Sequence, residues 1–256
     1  MENVSLTLDQ MTEFAVSAGA IMLRNGADTS RVEETMGHIA RSCGAVNVES
    51  FVVPTGVFLS VTGADGKTLT SMRRIAERTI NLDRIAKVNE LSRRLADQRM
   101  QFHVAKTILA SIAKERTGFP ILPTIFASGV LGGGFAVLHD GGLPETIAAF
   151  GSAMLVRLIA HVITRLHGVR FTFEFLGGSA AALIGVSLAL LRPEWNSEIM
   201  ISGGIIPLVP GVAITNSIRD VIAGDLISGL SRGLEAALTA VAVAMGVVLI
   251  LTMFAY

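Results

Sequence analysis

After residue 120 the chain runs through five apolar segments, at about 121–138, 146–163, 173–191, 199–215 and 233–254. Most approach the ~20 residues that a helix needs to cross the hydrocarbon layer of a bilayer. No water is present there to bond the backbone, so segments of this kind must satisfy their own N–H and C=O groups as helices. Charge follows the same division: 15 of the 21 Lys/Arg and 13 of the 21 Asp/Glu fall in residues 1–120. A chain that is 51% hydrophobic and only 16% charged, with a mean hydropathy of +0.58, exceeds the apolar content of an ordinary soluble domain. The expected fold is a mainly α membrane protein: an α+β cytoplasmic N-terminal domain at 1–118, then a five-span transmembrane domain at 119–256.

The fourth segment differs from the others. Pro207, Pro210 and Gly211 interrupt it, and each proline removes a backbone donor and clashes with the preceding turn. A broken helix frees carbonyls and creates a half-helix N-terminus whose amides can receive an anion. Discontinuous spans of this kind line substrate sites in many secondary transporters. Asn216, Arg219 and Asp220 close the segment at i, i+3 and i+4, on one helical face. They are candidate substrate-binding residues, along with Pro207, Pro210 and Gly211; a capped helix end with a local ion pair is the structural alternative.

Arg157 and His161 form a second candidate set, one turn apart in the second apolar segment. Ionisable groups at that depth are costly to expose to lipid and should face the bundle or a water-filled cavity. Arg157 suits a substrate carboxylate and His161 a proton relay. Snorkelling or structural pairing accounts for the same residues without function. The connections carry Lys/Arg in a pattern that sets N-terminus in the cytoplasm and C-terminus outside: none at 139–145, Arg165 and Arg170 next, then Arg192, then Arg219 and Arg232.

The N-terminal region is expected to be two antiparallel helices, three strands and two helices. Met11, Phe14, Ala18 and Ile21 recur at helical spacing up to Asn25-Gly26, and Asp28, Thr29 or Ser30 can cap the next helix. Three β-rich runs follow near 46–51, 57–62 and 67–72, the last two joined as a hairpin by Asp65-Gly66. Helices at 82–100 and 102–114 complete the region. The basic residues from Arg73 to Arg99 alternate with Glu77, Asp83, Glu90 and Asp97, as on a solvated face.

Enzyme templates fit poorly. The chain has no Gly-x-Ser-x-Gly, no His-Glu-x-x-His and no phosphate-binding loop after a strand, so no cofactor is expected. Glu33, Glu34, Glu49, Ser50, Asp65 and Arg73 could form a polar cluster only if the fold gathers them. One cysteine, Cys43, excludes an intrachain disulfide, and sparse aromatics without a basic stripe disfavour nucleic acid. Met1-Glu2-Asn3-Val4 lacks the basic start of a cleaved leader.

Asn25-Gly26-Ala27-Asp28-Thr29-Ser30-Arg31, Val48-Glu49-Ser50, Thr70-Ser71-Met72-Arg73 and Pro207-Leu208-Val209-Pro210-Gly211, with Asn216, Asp220 and Gly224-Asp225, occur in an order that resembles the bacterial threonine/serine exporter family. That resemblance implies efflux of small amino acids or, in related split systems, of dicarboxylates such as succinate, driven by the proton-motive force. It also implies an inner-membrane location and, for a chain of this size, a smaller membrane protein as partner. Self-association as a homo-oligomer is compatible with it. The competing expectation is a membrane-tethered enzyme or sensor whose soluble domain carries the activity.

Overall fold

The computed structural model describes residues 6–97, 100–115, 118–166, 169 and 171–254. The chain divides into two compact units, Met1–Gly118 with Val212–Gly233, and Phe119–Gly211 with Leu234–Tyr256.

In the first unit, α1 (Leu8–Arg24) starts at a capping box, in which Thr7 accepts from the Gln10 amide and the Gln10 side chain accepts from that of Thr7. α2 (Thr29–Ser42) is capped by Asp28, which accepts from Arg31 N at 3.0 Å. β1 (Asn47–Val53), β2 (Gly56–Thr62) and β3 (Thr68–Arg74) form an antiparallel meander in the order β1-β2-β3. All three strands are therefore paired. Val53 opposite Gly56 leaves Pro54-Thr55 as the first turn, and Gly66 at φ 76° serves the second. Alternation along β2 sends Val57, Leu59 and Val61 inward and exposes Phe58. Those side chains meet Met22 and Leu23 of α1 and Met36 and Ile39 of α2, all almost wholly buried.

α3 (Leu82–Ala96) and α4 (Phe102–Lys114) pack beside this core through Val88, Leu91 and Leu109. The helix expected at 82–100 thus ends at Ala96; residues 98 and 99 lie outside the described residues, as does Arg170 of the charge pattern. Ion pairs such as Lys87–Asp83 at 2.7 Å and Arg73–Glu13 at 2.7 Å sit at the surface, as a solvated charged face requires. The mooted polar cluster does not assemble: Glu34 pairs with His38, Asp65 with Lys67, and Arg73 with Glu13.

The rest of the chain is helical: α5 (Ile121–Leu138), α6 (Leu143–Arg165), α7 (Thr172–Leu191), α8 (Ser197–Ile205) running into a 3-10 turn at Ile206–Leu208, α9 (Gly211–Ile222) and α10 (Leu226–Phe254). Among the described residues α5, α6, α7 and α10 are long and apolar enough to cross a membrane. The pair Ser197–Leu208 and Gly211–Ile222, bent by 61° at its break, makes a fifth if it counts as one span. Small residues set the packing of the second unit, where helices in lipid lack a hydrophobic drive to associate. A Cβ on Gly132 would lie 2.6 Å from Ala153 Cβ of α6 and 2.7 Å from Gly203 O of α8. On Gly178 it would lie 2.5 Å from Val243 O of α10. The Gly132-Gly133-Gly134 run does not interrupt α5, and Gly134 has no neighbour within 4 Å of such a Cβ.

Candidate functional site

The polar residues that close the fourth apolar segment lie in the first unit, on α9, and converge on the loop between α1 and α2. Asn25 leaves α1, Gly26 turns the chain at φ 94°, and Asp28 starts α2. On one side the loop is held by Thr79 N on Arg24 O at 2.8 Å and Asn81 N on Asn25 O at 2.9 Å. On the other, Asn216 Nδ2 donates to Gly26 O at 2.8 Å, and Arg232 Nη2 of α10 donates to Ala27 O at 2.8 Å. Asp220 Oδ1 accepts from Thr29 N at 3.2 Å and from Thr29 Oγ1 at 3.0 Å. Thr29 Oγ1 also lies 2.9 Å from Asp225 Oδ2.

Burial makes these contacts consequential. Thr29 and Asp220 are each 0% exposed, and Asn216, Asp28 and Arg232 are all under 9%. Arg232 Nε stands 3.0 Å from Asp220 Oδ2, a close charge contact whose N–H is not aligned as a hydrogen bond. Arg219 reaches Asp28 Oδ2 at 3.2 Å, but half of its side chain faces solvent, so this pair is weaker. Ser228 Oγ donates to Val52 O at 3.4 Å, and Glu33 Oε1 accepts from Val52 N at 2.8 Å. Burial raises the Glu33 carboxyl above its ordinary 4.5; the Val52 amide opposes that and the nearby Asp225 adds to it.

Asn216, Arg219 and Asp220 are thus brought together against residues 26–29, in a buried network that joins hydrogen bonds at Gly26, Ala27 and Thr29 to the charge contact between Asp220 Oδ2 and Arg232 Nε. In the sequence Asp28 and Thr29 are read as helix caps and, with Asp225, as residues that carry the family resemblance, while Asp225 and Arg232 stand outside the candidate site. Residues separated by about 190 positions carry no local signal of contact. The available hints were the density of polar side chains at 216–232 beside apolar spans and the joint appearance of residues 25–31, Asn216, Asp220 and Asp225 in the family resemblance.

The other candidates belong to the second unit. At the break, Val209 is extended (φ −63°, ψ 123°) and Gly211 N donates to Val209 O at 2.9 Å. Pro207 sits inside the 3-10 turn, and the adjacent Leu208 packs against Val156 and Ala181. Arg157 follows Val156 on α6; its Nε is buried and has no hydrogen-bond partner among the described residues. His161 lies one turn further on, half-buried. Among the described residues, no group of three or more His, Cys, Asp or Glu could share a metal ion. Cys43 lies alone in the first unit, its thiol pushed up to about 11 by burial.

Residues 13–254 match the family model of the threonine/serine exporter, ThrE. The chain belongs to the threonine/serine exporter family. Similar members include a probable succinate transporter subunit, YjjP, of Escherichia coli, 24% identical over 245 residues that cover 95% of this chain and 94% of the relative. The threonine/serine exporter of Corynebacterium glutamicum is 24% identical over 86% of this chain, and a probable threonine/serine exporter of Mycobacterium tuberculosis is 22% identical over 87%. The matched part is only 46% and 42% of those two longer proteins. No solved structure gives a significant match. Members of this exporter family are transporters and not enzymes, and the apolar helices agree with a multi-pass membrane protein.

Proposed function

We propose that the chain is the larger subunit of an inner-membrane secondary exporter of small amino acids such as threonine and serine, or of small dicarboxylates, working with a smaller membrane protein. The names of the relatives support both substrate classes, and the word "subunit" supports the partner. Five spans, with the N-terminus in the cytoplasm and the C-terminus outside, belong to the same proposal and rest on the distribution of Lys/Arg.

The observation that carries the reading is the break at Val209-Pro210 in an exporter-family chain. It leaves the first amides of α9 without intrahelical acceptors, a natural seat for a substrate carboxylate. Arg157 is the proposed cation, because its buried Nε has no hydrogen-bond partner among the described residues. His161 is proposed to relay protons, and Pro207, Pro210 and Gly211 to keep the span open. Asn216, Arg219 and Asp220 act at the cytoplasmic side, where substrate loads, by exchanging their contacts with residues 26–29 during the cycle.

Efflux of labelled threonine, serine or succinate from loaded vesicles, with and without the partner, tests this. Arg157→Ala removes a charge-assisted hydrogen bond and should slow efflux about 10–100-fold. Undiminished efflux would remove Arg157 from the site, and unaltered flux in Asn216→Ala would do the same for Asn216.

A further inference from the structure

The first unit also holds a cleft of 770 Å³ between α1, the end of β3 and α4. It shares no residue with the side-chain network of Thr29, Asn216, Asp220, Asp225 and Arg232, and meets the loop beside that network only at Arg24. Its origin is legible in the side chains. Phe14 of α1 and Leu109 of α4, both core residues, close its floor beside the half-buried Ile21, and the positions around them are Ser17, Ala20, Ala110 and Ala113. Those side chains are too small to close the gap. α1 and α4 do meet elsewhere, where Phe14 and Phe102 pack edge to face at 5.2 Å. Protein interiors tolerate few voids wider than a water molecule, whereas clefts of ~300–1,000 Å³ with an apolar floor and a few polar groups are typical of small-molecule sites.

Charge at the rim selects the ligand. Arg73 is committed to Glu13 at 2.7 Å and to Ser17 Oγ at 3.0 Å, and Arg24 to Glu77 at 2.9 Å. Arg74 and Lys106 line the same cleft and have no ion-pair partner among the described residues. The remaining acid, Asp9, stands in the first turn of α1, where the helix end favours a negative charge. Two uncommitted cations above an apolar floor suit an anion with a hydrophobic body and disfavour a cation of the same shape.

We infer that this cleft is a binding site for a small organic anion, whose apolar body rests on Phe14, Ile21 and Leu109 and whose charged end is taken by Arg74 and Lys106. The site stands apart from the transport reading, and its test needs no transport. The full chain in lipid nanodiscs is titrated with indole-3-acetate and with tryptamine, which share a ring system and differ in charge, against empty nanodiscs. Saturable binding of indole-3-acetate is expected, about tenfold or more tighter than tryptamine, equivalent to ~1.4 kcal/mol or more. In Arg74→Glu with Lys106→Glu the preference should reverse. In Ala110→Trp, which fills the cleft, both ligands should be lost while Cys43 keeps its protection from thiol reagents. Equal affinity for the two compounds, unchanged indole-3-acetate binding in both variants, or no saturable binding up to about 10 mM overturns the inference.

Discussion

Replacing Asp220 with alanine tests whether the network around Thr29 holds the first unit together. Asp220 is fully buried, accepts two hydrogen bonds from Thr29 and lies 3.0 Å from the Arg232 guanidinium. Removing one member of a buried ion pair costs about 3–5 kcal/mol. Thr29 Oγ1 keeps Asp225, and Arg232 keeps the Ala27 carbonyl, so the low end of ~3 kcal/mol applies. At ~1.4 kcal/mol per decade, the opening equilibrium rises about 150-fold. Cys43, the single cysteine, reports that opening without an added probe. Its thiol is held at about 11 against an ordinary 9.0. At pH 8 about 0.1% is then thiolate in the closed unit and ~10% once it opens, a roughly hundredfold gain in reactivity. Closed chains also react through their ~0.1% thiolate, so opening shows only once about 1% of the native chain is open; in detergent with urea at that point, maleimide labelling of the full chain should accelerate about 30-fold in Asp220→Ala. Asp220→Asn, which keeps an oxygen for Thr29, should fall between that variant and the native chain. Asp65→Ala, at an exposed pair with Lys67, should change the rate by less than about twofold. If Asp220→Ala labels no faster than Asp65→Ala, the network does not stabilise the unit and the account of it is wrong.

Glu33 predicts a pH dependence. Its folded carboxyl is raised, so the folded state binds the proton more tightly and stability falls as pH rises from 4.5 through the raised value. Glu33→Gln keeps an acceptor for Val52 N and should flatten this part of the profile, with its stability gain over the native chain present at neutral pH and lost below pH 4.5; denaturation of the full chain across that range measures it. In the second unit, Gly132→Ala forces contact with Ala153 and Gly203 and should cost ~1–3 kcal/mol, seen as a lower midpoint of heat-induced aggregation. Gly134→Ala meets nothing within 4 Å and should be neutral or stabilising by up to about 1 kcal/mol in the same assay.

Local order was largely readable. The helical spacing of α1, the apolar run of α5 and the prolines of the fourth segment correspond to elements in the structure, because each is written in consecutive residues. The first β-turn was missed because Pro54-Thr55 lacks the glycine or asparagine of a common hairpin turn. α10 begins at Leu226, earlier than hydropathy suggested, because Ser228, Ser231 and Arg232 dilute the apolar signal over its first turns. Two of them, Ser228 and Arg232, engage Val52 and Ala27 in the first unit. The grouping of Asn216, Arg219 and Asp220 followed from helical spacing, while their partners at 26–29 did not, since contact across the chain is decided by tertiary packing. Arg157 was singled out by charge in an apolar run, and the lack of a hydrogen-bond partner for its Nε among the described residues emerged only from the surrounding side chains.

Two of the acceptors in the loop between α1 and α2 are the backbone carbonyls of Gly26 and Ala27. A side chain can be exchanged at Ala27 without removing its carbonyl, so tolerance to substitution there is limited by space and not by bonding. Length is another matter. Inserting or deleting one residue between Arg24 and Thr29 would shift both carbonyls and the Thr29 hydroxyl away from Asn216, Arg232 and Asp220 at once, while the contacts of Arg24 and Asn25 with Thr79 and Asn81 hold the loop's start in place. Over evolutionary time Ala27 can change identity within the space around it, whereas the residue count between Arg24 and Thr29 is fixed by three contacts at once.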